Sequence, residues 1–266
     1  ILPEDYVTPV AFEVIYDWML SDDNVLPRRH FAEVYKATKY LNVQELLSQF
    51  MCCIDDKKVI GEREALSIYL EAKEANEKSL QDFMRKKISK IFLTFVASWE
   101  FLLLSLEEVE GIFLSNTLGV NSELDILFSA IRWLQHQWPQ RKKGIVSVMK
   151  LVRFELFQSW QLVELKKFPE ELSHIFKIKE VQQAIDEALS FISLQHANHP
   201  GGDTDSKPKI IQRRIINDPI WNRFEFERNP NFYENYQNFC KYLKQLDACH
   251  WRNIKYANPK HESVIL

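Results

Sequence analysis

Apolar residues recur along most of this chain at helical spacing. Leu127, Ala130, Ile131, Leu134 and Trp138 fall at i, i+3, i+4, i+7 and i+11, one face of a helix. Ile145, Val148, Met149 and Val152 mark a second helix, and Val181, Ala184, Ile185, Ala188, Leu189 and Ile192 a third. Near the start, Phe12, Ile15, Trp18 and Met19 predict a helix from Thr8-Pro9 to about Leu20. Thr8 suits the cap and Pro9 the first helical position. The same spacing predicts helices over 30–41, Gln44–Ile54, 62–76 and 79–97. Loop 21–30 and the joint Asn42-Val43 separate the first three. Ser105 and Glu108 form a capping box at another helix start.

No strand-like alternation of any length precedes residue 195. Short loops between successive helices predict antiparallel hairpins stacked into an elongated array. The run "HANHPGGDTDSKPK" at 196–209 reads as a linker, with paired glycines and two prolines. Beyond it, "KIIQRRII" suits a strand or a short helix, and "NFYENYQNFCKYLKQL" at 231–246 an aromatic-rich helix.

Composition strengthens the all-α expectation. Six glycines in 266 residues are too few for a glycine-rich β fold or a nucleotide-binding loop. A 46% hydrophobic content supports a sizeable core in one large domain or two smaller ones. The most apolar stretch, Ile91 to Leu106, is broken by Glu100 and too short to span a bilayer. The chain opens on Ile1, which reads as the start of a fragment, and no signal peptide is visible. Cys52, Cys53, Cys240 and Cys249 lack zinc-site spacing and read as free thiols of a reducing compartment, cytoplasmic or nuclear.

The chain has no G-x-G-x-x-G, P-loop, H-E-x-x-H or G-x-S-x-G. Its histidines are scattered, and nothing assembles a nucleophile, a base and oxyanion donors. No enzyme activity, cofactor, metal or membrane contact is implied. Charge is more informative. Residues 207–266 carry eleven Lys/Arg against six Asp/Glu, within a chain of net charge −3. Cations there interleave with aromatics: Arg213, Arg214, Trp221, Arg223, Tyr233, Tyr236 and Trp251 are the candidate partner-binding residues of this tail. Packing onto the helical body is the first reading, a protein-partner surface the second, and nucleic acid the third.

The segment "NSELDILFSAIRWLQHQWPQRKKGIVSVMKLVRFELF" at 121–157 resembles the BACK domain of BTB-BACK proteins, the Kelch-like group and its relatives. The carrying features are Glu123 after a loop, the Arg132-Trp133 pair, Arg141 opening the next helix, and the closing Val152-Arg153-Phe154. The resemblance extends through "EALSIYLEAKEANEKSLQDF" upstream and "KEVQQAIDEALSFISL" downstream. It implies a BACK domain over 57–195, the C-terminal part of a BTB domain over 1–56, the linker 196–209, and a basic aromatic-rich extension over 210–266. Kelch repeats would need recurring Gly-Gly pairs, and only Gly201-Gly202 exists. The extension resembles the non-Kelch end of some insect BTB-BACK proteins.

The resemblance implies a protein-protein interaction module, an adaptor that joins a protein substrate to a cullin-3 ubiquitin ligase. A nuclear transcription or chromatin scaffold, its basic extension binding a partner or nucleic acid, is the alternative. Homodimerisation is implied only through BTB residues upstream of this chain. The family's cullin-facing joint matches Lys39, Tyr40, Asn42 and Val43, with Leu66, Tyr69 and Leu70 lining the adjoining groove. The cullin motif of hydrophobic-x-acidic form has only "LPED" at 2–5 near it. Glu123, Trp133, Arg141, Arg153 and Phe154 read as structural. Arg153, set in the apolar run "VMKLVRFELF", is expected to close a helix after Met149 and to pair with Glu123 or Asp125.

Overall fold

The computed structural model describes residues 2–21, 26, 30–56, 59–167, 170–197, 210–216, 218–224 and 230–246. The fold is all-α, and the chain divides into two compact units, Ile1–Lys90 and Ile91–Leu266.

The first unit holds α1 (Pro9–Leu20), α2 (Phe31–Leu41), α3 (Gln44–Asp55), α4 (Glu62–Glu74) and α5 (Lys78–Ile88). Thr8 caps α1 by accepting from the Ala11 amide at 3.2 Å, and its hydroxyl donates to Glu33 on α2 at 2.9 Å. The inward face of α1 differs from expectation. It is Ala11 and Ile15 that are buried, while Phe12 and Met19 stand 46% and 56% exposed. A small residue at 11 lets α1 lie close on α2, which turns the larger Phe12 outward. α3 buries Leu46, Phe50 and Ile54, four residues apart, and Phe50 meets Phe31 and Tyr35 edge-on at 4.9 and 5.5 Å.

Two of these helices end by one device. Asn42 after α2 and Asn76 after α4 take the left-handed conformation, at φ 58° and 53°. The amides that follow then satisfy the last helical carbonyls: Val43 N to Thr38 O at 3.1 Å, and Glu77 N to Ala72 O at 2.8 Å. Asparagine tolerates this region better than other non-glycine residues. The three-residue link 75–77 folds α4 and α5 against one another.

The helix expected over 79–97 is broken. α5 stops at Ile88, a 3-10 turn covers Ser89–Ile91, and α6 (Phe92–Ala97) follows. Ser89 Oγ donates back to the Lys86 carbonyl at 2.6 Å, a local bond that competes with the helix ladder. The division between the units falls at this turn.

The second unit continues through α7 (Trp99–Leu102), α8 (Leu106–Phe113), β1 (Gly119–Val120), α9 (Glu123–His136), α10 (Ile145–Met149), α11 (Ser159–Lys166), α12 (Ser173–Phe176), α13 (Lys179–Ala197), β2 (Arg214–Ile215) and α14 (Phe232–Leu243). The Ser105–Glu108 capping box forms in both directions. Eleven of the fourteen α9 residues are buried, so this helix runs through the core rather than along its edge. Arg141, expected to open the next helix, lies in a 3-10 turn over Gln140–Gly144 that precedes α10.

The tail builds part of this core. α14 packs on α6, α9 and α11. Phe128 of α9 meets Phe232, Phe239 and Tyr236 at ring-centroid distances of 5.2, 5.3 and 6.0 Å. Trp221 stands edge-on to Tyr242 at 5.3 Å. β1 and β2 pair in parallel, Gly119 with Arg214 and Val120 with Ile215, and the Ile216 amide extends the pairing to the Val120 carbonyl. A two-residue strand carries no alternation to read, which is why β1 was not expected. α13 runs to Ala197, and the linker residues beyond it lie outside the described residues.

Candidate partner-binding site

Six arginine and aromatic candidates of the tail can be placed against their surroundings, and most are consumed by the fold. Arg213 is 2% exposed. Its Nε donates to both Glu123 carboxylate oxygens, at 3.2 and 3.1 Å, across 90 residues of sequence. Its Nη1 donates to the Phe113 and Ser115 carbonyls at 2.6 Å, and its Nη2 to the Leu151 carbonyl at 3.0 Å. Every arm of the guanidinium is therefore used, the condition under which a buried charge is tolerated. Burial pushes the Glu123 carboxyl up and the Arg213 guanidinium down, while their attraction opposes both shifts. A cation so enclosed cannot meet a partner, which corrects its assignment to a binding surface.

Arg214, Trp221 and Tyr236 are buried as well, Tyr233 is half-buried, and Arg223 is exposed. Trp251 lies outside the described residues. Of the tail residues placed, Arg223 best keeps the geometry of a surface cation.

The structural residues follow the same logic. Trp133 is buried and donates from Nε1 to the Leu104 carbonyl at 2.9 Å. Arg141 stacks its guanidinium 3.9 Å from the Trp133 ring centroid and donates to the carbonyls of Trp133 and Leu102 at 2.5 and 2.6 Å. Phe154 is buried. Arg153 departs from expectation in its partner. Its backbone amide, not its guanidinium, reaches Glu123 Oε1 at 3.1 Å. The guanidinium is half-exposed and donates to the Ile211 carbonyl at 2.7 Å and to Asn116 Oδ1. α10 ends at Met149, and Arg153 precedes a 3-10 turn over Phe154–Leu156 rather than closing the helix. Arg213 fills the place expected for it.

In the first unit the candidate joint stands at the surface. The left-handed Asn42 turns the chain out of α2, leaving Asn42 exposed and Val43 half-exposed. Tyr40 is 47% exposed and stacks on Tyr6 at 4.8 Å. Lys39 Nζ reaches Glu77 Oε1 at 2.9 Å and Ser79 Oγ at 3.1 Å, tying the joint to the α4–α5 corner. Those bonds and the Lys39 charge hold the Glu77 carboxyl below its ordinary range against the upward pull of burial. The groove residues divide. Leu66 and Leu70 are half-buried, but Tyr69 is 1% exposed and belongs to the core. Its helical period is that of the buried Ala65, Ile68 and Ala72, whereas the resemblance sets it in the groove.

Sequence reading missed a neighbouring groove of about 1110 Å³, lined by Tyr6, Glu33, Lys36, Glu71, Glu74 and Asn76 among others. Lys36 lies over the Tyr6 ring at 5.6 Å and donates to the Ala75 carbonyl at 2.7 Å. Its walls come from a turn, α2 and the end of α4, a juxtaposition that no single stretch of sequence carries.

Among the described residues, no helix is long and apolar enough to cross a membrane. The family model for BACK, "BTB And C-terminal Kelch", matches residues 65–167. The chain is 32% identical over 153 residues to Kelch-like protein 26 of Homo sapiens, a match covering 56% of this chain and 24% of that protein. It is 40% identical over 73 residues to Kelch-like protein 26 of Mus musculus, covering 27% and 12%. The chain thus spans no more than about a quarter of the length of these relatives. Across its centre, then, the chain matches the BACK family model and is similar to two Kelch-like proteins.

Proposed function

We propose that the chain is a non-enzymatic interaction module that serves as an adaptor of a cullin-3 ubiquitin ligase. The observation that carries this reading is the joint after α2. Tyr40, Asn42 and Val43 are offered to solvent by a fixed left-handed turn, and Lys39 is braced from the α4–α5 corner. A preorganised surface loses little entropy on binding, so a small exposed patch can contribute most of an affinity. Leu66 and Leu70 supply half-buried apolar area on α4, and the Tyr6–Tyr40 stack links the joint to the groove beside it. A protein substrate would be held elsewhere in the full-length protein.

Calorimetry of the full-length protein with the amino-terminal domain of cullin-3 tests the reading. The expected result is a dissociation constant of micromolar or tighter, about −8 kcal/mol or better. Absence of both heat and co-elution ends it. The alternative of a nuclear scaffold with a nucleic-acid-binding tail draws on Arg213, Arg214, Trp221 and Tyr236, all of which are buried. Salt-dependent nucleic-acid binding that disappears on deleting 207–266 would restore it.

A further inference from the structure

A second polar cluster sits where the tail meets α9, separate from the Arg213–Glu123 pair. Asp125, in the first turn of α9, is fully buried. Its Oδ2 accepts from the Asn121 amide at 2.7 Å and from Asn121 Nδ2 at 3.3 Å. Its Oδ1 has no hydrogen-bond partner among the described residues. Asn121 Nδ2 also reaches the Tyr242 hydroxyl at 3.2 Å, and its Oδ1 accepts from the Asp218 amide at 2.8 Å. The Tyr242 hydroxyl donates to Asp218 Oδ2 at 2.7 Å. Asn121 and Asp125 belong to the helical body, and Asp218 and Tyr242 to the tail. The two buried carboxyl groups flank one phenol.

We propose that Asp125, Asn121, Tyr242 and Asp218 form a proton-sensitive latch that holds Asp218 and α14 on α9 while Asp125 is protonated and releases them as pH rises. Ionising Asp125 adds a charge beside Tyr242, in surroundings where unpaired charge is costly. Burial is the main cause that raises the Asp125 carboxyl to about 8, against the bonds from Asn121. The phenol of Tyr242 is also pushed up, by burial first and then by both carboxylates.

The titratable groups facing Asp125 are few. Its own helix contributes Glu123, which is paired with Arg213. α14 contributes Tyr242, and the segment before it Asp218. α6 and α10 have no titratable residue in their sequences, and β1 is followed by Asn121, which does not titrate. Glu100 of α7 and Arg141 lie on elements that meet the far end of α9, at His136 and Trp133.

The sign follows from linkage. Docked, Asp125 holds its proton more tightly than it would in water. Docking is therefore strongest near the ordinary carboxyl range, weakens as pH rises, and levels off above about 8. The weakening is about tenfold per pH unit in that window.

Hydrogen exchange of the full-length protein tests the latch, with each rate divided by its intrinsic value at that pH. Protection of α14 is expected to fall about tenfold per unit between pH 6 and 8 and then flatten, with α8 and α10 steady. Asp125→Asn, always neutral, should make the α14 profile flat. A flat profile in the unaltered protein, or a persisting slope in Asp125→Asn, overturns the proposal. If Asp125→Asn does not fold, the carboxyl carbon shift of Asp125 decides. Titration near pH 8 in step with the α14 amides supports the latch, and titration in the ordinary carboxyl range removes it.

Discussion

The tail and the joint after α2 exchange the roles that composition assigns them. The tail is rich in arginine and aromatic residues, the two enrichments of binding surfaces, yet Arg213, Trp221, Tyr236, Phe239 and Tyr242 are buried. The joint is four ordinary residues, yet Tyr40 and Asn42 face solvent. Packing and recognition draw on the same side chains, because both need large apolar area with polar atoms at its edge. What separates them is whether carboxylates and carbonyls of the same chain already satisfy the cations. Arg213 meets four backbone or side-chain partners from three other stretches of sequence. Arg223 is left exposed.

The sharpest way to break this comparison is Arg213→Ala. It leaves Glu123 buried without its cation, which costs about 3–5 kcal/mol and lowers the melting temperature by about 10 °C in a unit of this size. A shift of a degree or two would return Arg213 to the surface. Phe239→Ala comes next. The ring is fully buried among Phe128, Trp221 and Tyr242, so its loss costs about 3 kcal/mol in denaturant unfolding. An unchanged midpoint would mean that α14 is not seated.

On the other side of the comparison, Tyr40→Ala is expected to weaken cullin-3 binding by about 2 kcal/mol, read by calorimetry. Its melting temperature should fall only slightly, since an exposed stacked pair contributes about 1 kcal/mol. A large thermal loss would make Tyr40 structural instead. Arg153→Ala sharpens the account within the core. A half-exposed guanidinium with two hydrogen bonds costs about 1 kcal/mol when removed, well below the Arg213 effect. Equal losses at the two positions would contradict the division of labour between them. Arg223→Ala should stay within about 0.5 kcal/mol of the parent in unfolding.

Much of the helical body was legible because its signals are local. Thr8 capping α1, the Ser105–Glu108 box, and the buried positions of α9 each depend on neighbours within a turn or two. Arg153, an arginine inside an apolar run, is expected to pair with Glu123 or Asp125, but the guanidinium that meets Glu123 is that of Arg213. Arg153 and Arg213 both interrupt apolar runs, the second between Ile210-Ile211 and Ile215-Ile216. The rule that drew attention to Arg153 applied equally to Arg213. The deciding fact, a carboxylate 90 residues away, has no local signature. The outward turn of Phe12 was missed for a related reason. Periodicity names a face of a helix, and only the neighbour decides which edge of that face is covered.

One measurement meets the central claim directly: hydrogen exchange of the full-length protein with and without saturating cullin-3 amino-terminal domain. At about pH 6, the account predicts that α14 is strongly protected in both states, and that added protection on binding appears at the end of α2 and along α4. Rapid exchange of α14 in the free protein, or new protection confined to the tail, would contradict it.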